Sequence, residues 1–187
     1  MVGEIKNGKI RVKIDNETNL GVIGERKRKY IYLDNLETLY LSFVGKLEVK
    51  ERKSFLNFED LVTRFSHEDE DIFVRFLVYR DLRSRGYIVK RGYGEKIDFL
   101  VYERGDYPDK PAKIRVIGVD EGNPLQIVNL IDVLKFTIMS KKELKIAVIE
   151  RRGEIVYYTL KGFIGGKLIW TDELLKLSLT VADFFTI

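Results

Sequence analysis

The chain has no cysteine and one histidine, His67. The absence of thiols excludes disulfides, zinc knuckles, thiol nucleophiles and iron–sulfur clusters. A single imidazole excludes a histidine-rich metal site and leaves one candidate for imidazole acid–base chemistry. No apolar run reaches the roughly 20 residues of a membrane span, and the first residues lack the apolar core of a secretory signal. We therefore expect a cytoplasmic protein that uses no cofactor.

Apolar and charged residues are both abundant. Of the 187 residues, 45% are hydrophobic and 33% are charged, which is enough apolar material for a folded core and excludes a disordered chain. The 33 Lys and Arg exceed the 29 Asp and Glu, for a net charge of +4. This mild excess permits a polyanionic partner without requiring one. High charge of both signs, with two Met and no Cys, is typical of a thermophile.

The first third of the sequence predicts a small domain of strands and helices. Asn7-Gly8 lies between two short strand patterns and predicts a β-hairpin. Residues 30–33 predict another strand, and apolar side chains at intervals of three and four over residues 35–49 predict a helix. Asn57 is expected to cap a second helix. We assign residues 1–66 to this N-terminal α+β domain.

The rest of the sequence, residues 67–187, predicts a second domain. An acidic linker at residues 66–71 leads into a helix that ends at Gly86. Further strand and helix patterns follow at residues 87–91, 98–103, 113–119, 125–140 (the helix), 144–149 and 155–160. This order predicts a mixed sheet and an α/β (mixed α+β) fold class, with a restriction-endonuclease-like sheet as one possibility. The apolar tail at residues 161–187 must dock on its own domain or on a partner.

The sequence can be compared with the residue requirements of two mechanisms that cleave RNA or DNA. A metal-dependent nuclease needs carboxylates on neighbouring strands, but only Asp98 is suitably placed, so we expect no metal site. Metal-free RNA cleavage needs a base, an acid and a cation. Tyr102 and Lys142 could supply the acid and the cation, but no imidazole lies near them in sequence.

Lys, Arg and Tyr alternate through residues 75–96. Positive charge for phosphates and aromatic rings for bases are typical of RNA contact. The same residues could instead complement the helix dipole and line an ordinary strand. The candidates for RNA binding are Arg80, Arg83, Arg85, Lys90, Arg91 and Lys96.

A longer pattern, VYRDLRSRGYIVKRGYGEKIDFLVYERG, begins inside this basic stretch at Val78 and extends beyond it to Gly105. It closely resembles the signature of archaeal tRNA-splicing endonucleases. The resemblance extends over about residues 72–160. It includes the Lys-Glu-Leu that begins at Lys142 and the last two strands.

Catalytic members of that family use a Tyr, a His and a Lys without metal. The resemblance places the Tyr at Tyr102 and the Lys at Lys142. The His is expected near Pro111, where the segment DYPDKPAK contains none. The helix before Lys142 is also more apolar than in catalytic members. The resemblance therefore implies a non-catalytic chain with relic positions, the structural subunit of an (αβ)₂ heterotetramer whose catalytic subunit cuts precursor tRNA at bulge–helix–bulge sites.

The resemblance also implies an interface. In the family, an acidic turn between the last two strands inserts into a basic groove of a neighbouring subunit, and Glu150 and Glu154 occupy that turn here. The last strand would pair across a dimer axis, and its candidate interface residues are Ile155, Val156, Tyr157 and Tyr158. An apolar edge strand needs a cover, which either a partner or the folded-back tail could supply.

Two other functions remain open from the sequence. One is a self-sufficient metal-independent ribonuclease in which His67 or Lys110 replaces the missing base beside Tyr102 and Lys142. The other is a stand-alone homodimeric RNA-binding protein.

Overall fold

The computed structural model describes the whole chain except residues 7, 16, 17, 19, 93–96, 123–126, 165, 166 and 173–187. The chain divides into two compact units, Met1–Leu77 and Val78–Ile187. Each unit contains a six-stranded mixed sheet. The predicted mixed α+β class is confirmed. The units divide within a helix, and the boundary expected after residue 66 stays a prediction.

The first unit is built on a sheet with the strand order β3-β4-β2-β1-β5-β6. Its elements are β1 (Val2–Lys6), β2 (Lys9–Lys13), β3 (Glu25–Lys27), β4 (Tyr30–Leu33), α1 (Asn35–Phe43), β5 (Glu48–Glu51), β6 (Ser54–Leu56), α2 (Phe58–Ser66) and the start of α3 (Ile72–Ser84). The predicted hairpin is confirmed, because β1 and β2 pair antiparallel with Lys6 opposite Lys9. A parallel pairing of β1 with β5 makes the sheet mixed.

The helix predicted over residues 35–49 is shorter than expected. It ends at Phe43, and Gly45 follows with φ +71°. Two backbone amides, those of Lys46 and Leu47, donate to the Leu41 carbonyl and turn the chain away from the helix axis. Leu47 remains buried, but as part of the turn into β5 rather than as a helical residue. Leu47 follows Phe43 by four residues, which is the spacing of a helical repeat, although the helix has already ended at Phe43.

The predicted cap of α2 is confirmed. The Asn57 side chain accepts from the Asp60 backbone amide at 2.8 Å, and the Asp60 carboxylate accepts from the Asn57 amide at 2.9 Å. This reciprocal pair satisfies two donors that the first turn of a helix otherwise leaves open.

The second unit has the strand order β12-β11-β10-β9-β8-β7. It contains the end of α3, β7 (Ile88–Arg91), β8 (Phe99–Tyr102), β9 (Ile114–Asp120), α4 (Ile127–Met139), β10 (Glu143–Ile149), β11 (Ile155–Ile164) and β12 (Lys167–Asp172). Parallel β9 and β10 lie between antiparallel neighbours, as a mixed sheet requires. Leu130, Val133 and Leu134 of α4 pack with buried residues of β10 in the core of this unit.

The expected edge strand at residues 155–160 lies inside the sheet over part of its length. β11 continues to Ile164, and β12 pairs with it from Tyr158 onward. Residues 167–172 add a sixth strand beside β11, which corresponds in part to the fold-back alternative. The rest of the tail, residues 173–187, lies outside the described residues.

Candidate functional site

The fold brings the three positions implied by the resemblance to one end of the second sheet. Tyr102 ends β8, Pro111 and Ala112 precede β9, and Lys142 precedes β10. β8 runs antiparallel to β9, and β9 runs parallel to β10. The end of β8 and the beginnings of β9 and β10 therefore meet at the same edge of the sheet.

Lys142 is held by the segment in which the catalytic histidine was expected. Its Nζ donates a hydrogen bond to the carbonyl oxygen of Ala112, the residue after Pro111. Its backbone amide donates to the Thr137 carbonyl at 3.1 Å, which fixes the chain as it leaves α4. Burial lowers the pKa of the Lys142 amine below its ordinary value, and the Arg115 guanidinium lowers that pKa further.

Arg115 of β9 was not singled out from the sequence. Its guanidinium is buried and donates to Thr137 Oγ1 at 3.1 Å and to Ser140 Oγ at 3.3 Å. It also lies over the ring of Phe136, with its Cζ 4.3 Å from the ring centroid. Burial lowers the pKa of Arg115. A signal was available in KIRVIGV, where an arginine stands inside a strand pattern that predicts burial.

Tyr102 is half-buried and packs edge-on against Tyr107, with ring centroids 5.1 Å apart. The Nζ of Lys90, one of the predicted RNA-binding residues, lies 5.4 Å from the Tyr107 ring centroid. A cation and two aromatic rings, one of them that of Tyr102, therefore lie together at this end of the sheet. This arrangement resembles the combination that binds phosphates and stacks bases.

The loop after β8 is organised around Asp106, whose side chain is 8% exposed. Its Oδ1 accepts from Lys110 Nζ at 2.7 Å, and its Oδ2 lies 3.4 Å from Lys113 Nζ. The hydrogen bond from Lys110 lowers the pKa of the Asp106 carboxyl. Lys110, which the ribonuclease alternative names as a base, is thus engaged in an ion pair with Asp106.

Asp98 has a structural contact. Its carboxylate accepts from the Gly118 backbone amide at 2.7 Å and so joins the start of β8 to β9. Within the described ranges, no cluster of three or more Asp, Glu, His or Cys could hold a metal ion. The same ranges contain no helix long and apolar enough to cross a membrane.

Two of the six predicted RNA-binding residues have contacts that define the end of α3. Arg83 donates to the Tyr87 carbonyl at 3.0 Å. Arg85 Nε donates to Asp81 Oδ2 at 2.8 Å, and this hydrogen bond raises the pKa of Arg85. Arg80 is half-buried on α3, and Lys90 and Arg91 lie on the outermost strand, β7. Lys96 lies outside the described residues.

Tyr157 joins β11 to α3 across 76 positions of sequence. Its hydroxyl donates to Asp81 Oδ2 at 2.7 Å, and the Arg85 guanidinium carbon lies 5.3 Å from its ring centroid. Burial raises the pKa of the Tyr157 phenol, and the hydrogen bond to Asp81 raises it further. The predicted interface residue Tyr157 therefore has its hydroxyl engaged within its own chain.

The predicted acidic turn is an exposed hairpin between β10 and β11. The Glu150 amide donates to the Glu154 carbonyl at 2.9 Å, and the Gly153 amide donates to the Glu150 carbonyl at 2.7 Å. Both glutamates are exposed. Ile155, Val156, Tyr157 and Tyr158 begin β11, and β12 pairs only from Tyr158 onward. The described residues thus supply no second pairing partner for the first three positions of β11.

The chain carries the two domains of one class of RNA-processing enzyme. Residues 1–62 match the family model of the tRNA intron endonuclease N-terminal domain, and residues 72–157 match that of the tRNA intron endonuclease catalytic C-terminal domain. Together these matches cover most of the chain. The protein belongs to the tRNA intron endonuclease family, and the resemblance noted in the sequence is confirmed.

Several archaeal proteins are similar to this chain over most of its length. The tRNA-splicing endonuclease of Methanococcus vannielii is 32% identical over 138 residues, which is 73% of this chain and 78% of that protein. The tRNA-splicing endonuclease of Methanococcoides burtonii is 32% identical over 165 residues, and the match spans 86% of this chain but only 46% of that protein. An EndA-like protein of Methanopyrus kandleri is 28% identical over 165 residues, 87% of this chain and 97% of the relative.

Proposed function

We propose that this chain is the non-catalytic structural subunit of a tRNA-splicing endonuclease. It would act in the cytoplasm and assemble with a catalytic subunit into an (αβ)₂ heterotetramer that removes introns from precursor tRNA at bulge–helix–bulge sites. The observation that carries the proposal is the composition of the relic site. Tyr102 and Lys142 are in place, but the segment that includes Pro111 contains no histidine.

The chemistry supports this interpretation. Cleavage without metal needs a group that removes the proton of the 2′-hydroxyl, and an imidazole is the usual one because its pKa lies near neutrality. The one histidine, His67, follows α2 in the first unit, whereas Tyr102 and Lys142 belong to the second unit. The Lys142 ammonium group, the cation expected to stabilise charge on the phosphate, donates a hydrogen bond to the Ala112 carbonyl of its own chain.

The exposed turn supports a role in assembly. Glu150 and Glu154 project from a hairpin of defined geometry, which suits insertion into a basic groove of another subunit. Arg151 lies near Glu121, with its Nε 3.8 Å from Glu121 Oε2, so part of the positive charge of the turn is balanced within the chain. The first residues of β11 supply backbone groups suited to strand pairing across a dimer axis.

The test of this function is reconstitution with the catalytic paralogue encoded by the same genome. We expect the mixture to form a heterotetramer that cleaves a bulge–helix–bulge precursor in EDTA, and we expect the chain alone to be inactive. Glu150→Ala with Glu154→Ala should reduce assembly and cleavage together. Glu70→Gln, which changes an exposed acid far from the turn in sequence, is the matched control and should leave both unchanged. A homodimer that does not bind the paralogue would contradict the proposal.

A further inference from the structure

The outer face of the first sheet carries a pattern that the proposed function does not use. Cross-strand partners lie on the same face of a sheet, so the observed registers place one row of side chains across all six strands. That row consists of Glu25, Tyr32, Arg11, Glu4, Lys50 and Phe55. A second row on the same face consists of Lys27, Tyr30 and Lys13.

The side chains of this outer face are exposed or half-buried, while the opposite face forms the core. Ile31, Val12 and Val49 alternate with the outer row and are nearly completely buried. On the outer face, by contrast, Phe55 is 58% exposed and Lys13 is also exposed. Phe55 lies on the edge strand β6, so its exposed ring is accessible to a flat ligand at the margin of this face.

Cations lie beside the aromatic rings of this face. The Arg11 guanidinium carbon lies 4.4 Å from the Tyr30 ring centroid, and Lys50 Nζ lies 5.7 Å from that of Phe55. Tyr32 stands between Glu25 and Arg11 in the first row. Flat aromatic rings and a guanidinium plane are surfaces on which nucleic-acid bases stack.

The charge of the face is positive. Its cations are Lys6, Lys9, Arg11, Lys13, Lys27 and Lys50, and they outnumber its acids, Glu4, Glu25 and Glu48. Glu4 pairs with Arg11 at 3.2 Å and Glu25 pairs with Lys27 at 2.8 Å, so each pair neutralises one acid and one cation. Four cations and one acid of the face, Glu48, lie outside these two pairs. The potential of the open face therefore favours a polyanion.

We propose that the outer face of the first sheet binds single-stranded RNA. Bases stack on Tyr32 and Phe55, and Lys13 and Lys50 contact phosphates. Six strands at a spacing of ~4.8 Å give a platform about 24 Å wide, which suits a few nucleotides of extended strand. An acidic protein segment would use the cations but not the rings, so RNA fits this surface better. The proposal does not depend on the catalytic or structural status of the chain.

Stacking is tested with the full-length chain and a fluorescein-labelled 12-nucleotide oligouridine, by fluorescence anisotropy. Tyr32→Leu and Phe55→Leu keep an apolar side chain but remove the ring, and each should weaken binding by about fivefold or more. Tyr32→Phe keeps the ring and should bind as the parent does. Phe73→Leu, at an exposed position on α3, is the control for loss of a phenylalanine elsewhere. Circular dichroism and thermal unfolding confirm that each variant is folded.

The phosphate contacts are tested by salt dependence. For single-stranded nucleic acid, the slope of log K against log salt is about −0.7 for each neutralised phosphate. Lys13→Gln should therefore make the slope shallower by ~0.7. Lys46→Gln, an exposed lysine in the turn after α1, should leave the slope unchanged.

Three results would overturn the proposal. They are parental binding by both leucine variants, equal affinity for a 12-base-pair RNA duplex, and equal competition by polyglutamate. The first two results would show that bases do not stack on this face. The third would show that the face recognises negative charge alone. Because this assay uses the chain without a paralogue and without cleavage, its outcome is independent of the proposed subunit role.

Discussion

Removal of the Tyr157 hydroxyl tests the link between β11 and α3. In Tyr157→Phe the ring remains, but Asp81 Oδ2 loses the hydrogen bond that it accepts at 2.7 Å. The same oxygen keeps the hydrogen bond from Arg85 Nε at 2.8 Å. Hydrogen bonds to charged groups contribute about 1.5–3 kcal/mol. We take the lower end, about 1.5 kcal/mol, because Asp81 stays paired after the substitution.

The effect should depend on pH in a defined direction. The pKa of the Tyr157 phenol is raised in the folded chain, whereas an unfolded tyrosine titrates near pH 10. The folded state therefore holds the phenol proton more tightly than the unfolded state does. The contribution of the Tyr157 hydroxyl to the free energy of unfolding is complete below about pH 10 and falls as the pH rises. At pH 11 the loss is about 1.4 kcal/mol. The stability difference between parent and variant should nearly vanish there.

The assay is urea unfolding of the parent and Tyr157→Phe from pH 7 to pH 11. Tyr87→Phe is the control, since Tyr87 and Tyr157 both line one cavity, together with Arg85, Val116 and Lys145. A difference in unfolding free energy below ~0.5 kcal/mol at pH 7, the range of ordinary surface substitutions, would show that the Tyr157 hydroxyl does not stabilise the fold. A difference that stays constant up to pH 11 would contradict the raised pKa of the Tyr157 phenol.

Three further substitutions probe other parts of the chain. Asn57→Ala should cost about 1 kcal/mol in urea unfolding because it removes the cap of α2. Gly86→Ala should cost about 1–2 kcal/mol because its φ of +86° strains a residue with a Cβ, while Gly122→Ala, without such a φ, should be close to neutral by the same assay. Arg115→Met removes a cation near Lys142, so the pKa of Lys142 should rise, and NMR titration of labelled lysine would show it. An unchanged pKa would contradict the electrostatic coupling.

Local signals in the sequence predicted most of the elements. Asn57 predicted its cap because capping depends on residues only three apart. The helix predicted at residues 35–49 was too long, because hydrophobic spacing alone does not show that Gly45 leaves the helical conformation. The backbone hydrogen bonds to Leu41 end the helix, while Leu47 keeps the apolar spacing and enters the core from the following turn.

Contacts between distant residues were not predictable in the same way. Tyr157 and Asp81 are 76 positions apart, and Lys142 and Ala112 are 30 apart. Only the order of strands in the sheet brings such pairs together. The family motif predicted that positions 102 and 142 belong together. The strand pattern around Arg115 indicated burial, but only the pairing of β9 with β10 places Arg115 near Lys142.

Cleavage of a bulge–helix–bulge precursor tRNA in EDTA distinguishes a structural subunit from a catalytic one. The assay compares this chain alone, the catalytic paralogue alone and the two together. We predict no cleavage by this chain and full cleavage by the mixture, with both chains in one heterotetramer. Efficient cleavage by this chain alone, abolished by Tyr102→Phe or Lys142→Ala, would show that it is a catalytic subunit and would contradict the account.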